Sequence, residues 1–256
     1  MSGLLLRLAG PLQSWGERSA FTTVRDTAPF PTRSGIVGMF AAAEGIGRGD
    51  GGLDRYDDLS LTVRVDRPGD RLVDYHTVGG GQPKARTAAT SGGSNKGAAV
   101  ITRRHYLSDA VFVVAVTAPD ETVTRLADAL TRPHWAPYLG RRSCVPDEPF
   151  VLRRHVGDPE RELHTGVPLT RTTPPGHSGD TVDVEFLYDQ PSSGDPAQPA
   201  DVIDITDVPL SFAQHARAHG VRRLYRTTRR LPLALTGPQG ELMDRLITYA
   251  RTEESA

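Results

Sequence analysis

Between Tyr75 and Ser108 the chain runs 34 residues without an aspartate or glutamate, and this stretch holds both of its lysines, Lys84 and Lys96. Glycines at 79–81, 92, 93 and 97 interrupt it, and strand-like segments, Arg71 to Val78 and Val100 to Leu107, border it. The pattern predicts a hairpin whose far end is a Gly-rich arm standing off a globular body. An irregular segment of this length is either functional or a linker, and Tyr75 and Tyr106 at its two bases favour function. Lys84, Arg86, Lys96, Arg103 and Arg104 give the arm a local charge of +5 in a chain whose net charge is −1. Such an asymmetry marks a polyanion-binding element.

The body around the arm reads as α+β. Leu4, Leu6 and Leu8 alternate with their neighbours as a strand with one buried face. A long loop follows from Gly10 to Pro31. Ile36, Val37 and Phe40 then recur at helical spacing, with Pro31 and Thr32 or Ser34 marking the helix start and Gly45 or Gly47 its end. Leu59 to Val65 alternates as a second strand, and Ala110 to Val116 is a continuous apolar run suited to a central strand covered on both faces. Val123, Leu126, Ala127 and Leu130 space out a second helix from Asp120 to Leu130. This order is that of a split βαβ or ferredoxin-like, RRM-like unit with the hairpin as a long excursion at about 76–105. Beyond it, Val182 to Leu187, Val202 to Ile205 and Val221 to Leu233 read as strands and Glu241 to Arg251 as a helix. These predict a ferredoxin-like unit over 1–150 and a smaller β-rich subdomain over 151–256.

Charge is segregated again toward the C-terminus. Thr172 to Asp207 holds eight acids and no lysine or arginine, and Val208 to Gly240 holds six arginines and no acid. Either the arginines attract a nucleic-acid backbone or the two segments neutralise each other across the fold. No stretch approaches the apolar length of a membrane span, so a cytoplasmic protein is expected. Cys144 is the only cysteine, so neither an internal disulfide nor a cysteine-based zinc site can form within one chain. No cofactor is implied.

Several motifs bear on chemistry. Lys96 precedes Gly97 and lacks the spacing of a phosphate-binding loop. His215 and His219, four apart on an expected helix, form a metal pair only if a third ligand joins them, and Ala216 stands where a metallohydrolase carries its glutamate. Tyr75, His76, Lys84 and His105 are the candidates for acid-base cleavage of RNA. Arg141 and Arg142, in a turn bounded by Gly140, cannot both pack inward, so at least one is available to a phosphate or a carboxylate.

Five blocks then carry a resemblance: LRLAGPLQSWG from Leu6, FPTRSGIVGMFAAAEG from Phe30, DYHTV from Asp74, TRRHYLSDAVF from Thr102 and PYLGRRSC from Pro137. In content and order they resemble the CasD family of the type I-E CRISPR surveillance complex, Cascade, within the repeat-associated RNA-binding superfamily. The resemblance implies a palm and thumb that hold the 5′ handle of the CRISPR RNA without cutting it. It also implies contacts with the large subunit and a backbone subunit, while guide pairing reads the target DNA. The RNA-binding residues expected are Arg33 and Ser34 at the first helix N-terminus, Lys84, Arg86, Lys96, Arg103, Arg104 and Tyr106 on the thumb, and Arg141, Arg142 and Ser143 in the turn. The alternative is a metal-independent endoribonuclease that processes the precursor RNA.

Overall fold

The computed structural model describes residues 2–17, 22–79, 81–87, 99–173, 176, 178–191, 201–213 and 216–252. Among these, eleven strands form two sheets. β1 (Ser2–Ala9), β4 (Ser60–Arg67), β7 (Val111–Ala118), β8 (Val151–Val156), β9 (Thr181–Tyr188), β10 (Asp201–Ser211) and β11 (Ala218–Pro232) make a seven-stranded sheet in the order β10-β11-β9-β4-β7-β1-β8. All its pairings are antiparallel. α1 (Arg33–Ala43) connects β1 to β4, and α2 (Asp120–Thr131) connects β7 to β8.

Thr32 caps α1, its hydroxyl accepting from the Gly35 N–H. The helix closes where the sequence places a glycine. Gly45 N–H donates to the Ala42 carbonyl and Ile46 N–H to the Ala41 carbonyl, a paired return that needs the left-handed φ of +77° at Gly45. Ile36, Val37, Met39, Phe40, Ala41 and Ala43 of α1 pack with Val123, Leu126 and Leu130 of α2 over Leu4, Leu6, Leu8, Phe112, Val114 and Val116. Buried Glu44 ties this layer together by accepting from Tyr56 and Arg125.

β1 was expected to bury one face, but it is covered on both. Leu5, Val113 and Ala115 point to a second core filled by Leu163 of α3 (Pro159–Thr165), Val167, Leu169, Val182, Val184, Phe186, Leu231 and Leu246 of α4 (Leu242–Arg251). The expected boundary near residue 150 is therefore not a break in the fold. β8 pairs with β1 and β9 with β4, so the C-terminal strands extend the sheet begun by the N-terminal ones. Arg64 of β4, fully buried, anchors the second layer. It pairs with Asp66 at 2.7 Å and donates to the Leu163, Val167 and Pro168 carbonyls, while Asp66 accepts from Thr170 N–H. Complete satisfaction is what makes a buried guanidinium tolerable.

β5 (Asp70–Val78) and β6 (Val100–Ser108) form the expected hairpin, paired from Asp70–Ser108 to Val78–Val100. It springs from β4 through Pro68-Gly69, with Gly69 at φ +73°. Two short strands in the long loop, β2 (Leu12–Gln13) and β3 (Val24–Arg25), line the other edge of β6. Among the described residues, no helix is long and apolar enough to cross a membrane.

Candidate nucleic-acid interface

The 139–144 turn is pinned at both ends. Leu139 and Cys144 are buried, Leu139 N–H donates to the Cys144 carbonyl, and Cys144 N–H donates to the Arg141 carbonyl. Between them Gly140 has φ +83°, and a Cβ there would fall 1.7 Å from the Ser14 carbonyl oxygen. The turn thus presses against the loop after β1 and lifts Arg141, Arg142 and Ser143 outward.

Arg141 lies over the Tyr106 ring, its guanidinium carbon 4.5 Å from the centroid, and its Nη2 donates to the Arg25 carbonyl at 3.1 Å. Register places Arg25 beside Arg104 on β3 and β6. Burial, reinforced by the charges of Arg104 and Arg141, pushes the Arg25 guanidinium below its ordinary value. Three cations are therefore gathered at the base of the hairpin. Arg104, Arg141 and Arg142 make no ion pair among the described residues, and buried Arg141 Nη1 has no hydrogen-bond partner. Crowded cations at a surface suit a phosphate oxygen.

The expected residues fare unequally. Arg104, Arg141, Arg142 and Ser143 gather at this cluster or its rim, and Lys84 and Arg86 are exposed on a short helical turn at the outer hairpin. Arg103 is exposed on the opposite face of the hairpin from Arg104, because neighbours along a strand alternate. Lys96 lies outside the described residues. Tyr106 is 6% exposed, so its ring is a floor for Arg141 rather than a platform for a base.

Arg33 corrects the expectation most. Its side chain turns inward to the Leu59 and Tyr56 carbonyls and to Asp189 at 3.0 Å. Its backbone N–H already donates to buried Asp207 at 2.7 Å. The α1 N-terminus has its anion, and the protein supplies it. Ser34 faces outward, its hydroxyl directed to Thr32.

The C-terminal arginines resolve the charge segregation. Arg223 faces Asp204, Arg226 faces Asp201 and Arg230 faces Asp183 directly across the ladders, and Arg222 is held by Asp207 and Asp189. Four of the six arginines thus neutralise the acid-rich segment. His219 stands in β11, not on a helix, and His215 lies outside the described residues. Among the described residues, no three His, Cys, Asp or Glu side chains converge as metal ligands. The cleavage candidates are divided as well. His76 opposes Thr102 and His105 opposes Val73, which places the two imidazoles on opposite faces of the hairpin.

Beside the cluster runs a groove of about 1360 Å³. Its floor is the small-residue side of α1, with Ser34, Gly35, Gly38 and Ala42. Its walls carry Trp135, Tyr138, Arg142, Phe212 and Arg217. Sequence reasoning passed over Arg25, Trp135 and Arg217. Arg25 lies on a two-residue strand without its own periodic signal, and a tryptophan between His134 and Ala136 looks no different from a core residue.

A family model described as CRISPR-associated protein (Cas_Cas5) matches residues 3–225. The chain belongs to the Cas5 family. The CasD resemblance of the sequence blocks holds as well: the CRISPR system Cascade subunit CasD of Escherichia coli (strain K12) is 39% identical over 176 residues, covering 63% of this chain and 75% of that protein. A solved chain described as a CRISPR RNA-guided surveillance complex is 49% identical, with a TM-score of 0.85 over 97% of this Cas5-family chain and 99% of that one. Another, described as a Cas protein, is 27% identical with a TM-score of 0.59, covering 91% of this chain and 97% of its own.

Proposed function

We propose that this Cas5-family chain is a non-catalytic architectural subunit of a Cascade effector that grips the 5′ handle of the CRISPR RNA. Its palm is the ferredoxin-like unit β1-α1-β4-β7-α2-β8, and its thumb is the β5–β6 hairpin. The observation that carries this reading is the cluster of Arg25, Arg104 and Arg141 at the thumb base, where β3 and β6 register and the Arg141 hydrogen bond to the Arg25 carbonyl bring three guanidinium groups together. Phosphates of a bent single strand offset this crowded positive charge, and exposed Arg142 and Ser143 extend the contact. The names of the relatives, a Cascade subunit and a guided surveillance complex, support the same role. In the assembly the chain joins the large subunit to a backbone subunit, and the target DNA is read by guide pairing alone.

Co-expression of the Cascade subunits with a repeat array tests this. Arg104→Glu together with Arg142→Glu is expected to yield complexes depleted in guide RNA, with the variant still folded by circular dichroism. Full guide retention by that folded variant overturns the reading.

A further inference from the structure

Trp135 is 47% exposed on the groove wall, although its backbone is fixed. The His134 and Trp135 N–H groups donate to the Ala43 and Ala42 carbonyls at 2.8 and 3.1 Å, so this loop caps the C-terminal end of α1. The His134 ring stands at 84° to the indole, 4.6 Å between centroids. A perpendicular neighbour braces an indole while covering at most one of its faces. An exposed aromatic plane held by backbone hydrogen bonds is pre-organised for a flat partner.

The charge around it identifies that partner. The groove is lined by four arginines, Arg25, Arg48, Arg142 and Arg217, against two acids, Glu17 and Asp54. Burial and then the charge of Arg48 push Arg217 below its ordinary value. Arg48, Arg142 and Arg217 make no ion pair among the described residues. Cationic and aromatic side chains thus line one small-floored channel, in which Arg25 adjoins the thumb-base cluster and Arg48 stands near enough to Arg217 to act on its charge. Phosphates need the cations and bases need an aromatic face, a combination that suits single-stranded RNA. We propose that this groove receives unstacked nucleobases of the RNA held at the thumb base, with Trp135 as the stacking face. The proposal rests on the RNA-gripping reading above and adds a site and a residue to it.

Tryptophan fluorescence tests it, because the other tryptophan, Trp15, is fully buried with its Nε1–H donating to Gln13. The full chain is titrated with a repeat-derived handle oligoribonucleotide, with an abasic oligomer of the same length, and with inorganic polyphosphate. Quenching of the Trp135 signal by the base-bearing RNA alone is the expected result. Trp135→Ala is expected to weaken handle binding roughly tenfold, while Trp135→Phe retains most of it. Circular dichroism and the Trp15 emission establish that each variant is folded. Equal quenching by the abasic oligomer, or undiminished affinity of folded Trp135→Ala, overturns the proposal while leaving the RNA-gripping function standing. A signal that appears only on adding the other Cascade proteins without RNA overturns it in favour of a protein occupant. Failure of every RNA to bind removes both readings.

Discussion

At Gly140 the local backbone and the candidate interface depend on one missing side chain. A left-handed φ costs an ordinary residue about 1–2 kcal/mol, and a methyl 1.7 Å from the Ser14 oxygen also forces the turn outward. Gly140→Ala is expected to lower the melting temperature by roughly 5–10 °C and to weaken RNA binding by displacing Arg141 and Arg142, as thermal melts and filter binding would register. His164 makes a second prediction. Its ring packs on Phe186 and its Nε2 meets the Tyr188 hydroxyl at 3.2 Å, and burial, aided by Arg229 and Arg64, lowers its pKa. The unfolded chain then binds a proton near histidine's ordinary value of about 6.5 that the folded chain resists. Stability falls as pH drops below that value, and denaturant titrations of His164→Gln should show a weaker dependence across the same range. The turn was legible from the Gly-Arg-Arg pattern, because two adjacent cations cannot both be buried. The fate of Arg33 was not, because its partners lie in Asp189 and Asp207, far along the chain.

Those two aspartates lock one element to another. Arg222 of β11 donates to Asp207 at 2.6 and 2.8 Å and also to Asp189, which holds Arg33. The α1 N-terminus is thereby fixed to the β9–β10–β11 end of the sheet. Burial raises the Asp189 pKa against the opposing pull of Arg222 and Arg33, a sign of how dry this junction is. Asp207→Ala, which takes the acceptor from Arg222 Nε and Nη2 and from the Arg33 N–H and leaves Arg222 with Asp189 alone, is expected to cost about 3–5 kcal/mol. Asp204→Ala, which removes only the exposed partner of Arg223, costs at most about 1 kcal/mol. Paired chemical denaturation curves of the two variants check the contrast. Elements with a local signal were readable: α1 and α2 from their spacing, β7 from its unbroken apolar run, and the hairpin from its flanks. β2 and β3 were not, since each is two residues long and exists only through its pairing with β6. His219 reads as helical in sequence because a four-residue interval looks the same whether the backbone coils or extends.

Over the whole molecule, nearly balanced charge conceals two different arrangements of arginine. The sequence showed the imbalance between residues 172–207 and 208–240 but not its resolution, because cross-strand register pairs residues that composition separates. The expectation of two subdomains has the same origin: the alternation of Leu4, Leu6 and Leu8 reveals one covered face, while the layer that covers Leu5 comes largely from Leu163 and residues beyond it. A consequence follows for RNA binding. Arg223, Arg226 and Arg230 are already paired with carboxylates and contribute little to phosphate capture, whereas Arg104, Arg141 and Arg142 make no ion pair among the described residues. About five phosphate contacts from Lys84, Arg25, Arg104, Arg141 and Arg142 give a slope of log affinity against log salt near −3.5, at about −0.7 per contact on a single strand. Raising salt from about 50 to 200 mM then weakens handle binding on the order of 100-fold. Replacing Arg104 and Arg142 with glutamine should reduce the slope by about 0.7 each, and replacing Arg223, Arg226 and Arg230 should leave it unchanged. If fluorescence anisotropy across salt shows the β11 substitutions moving the slope as far as the thumb-base ones, RNA contacts the far end of the sheet and the thumb-base grip is the wrong description.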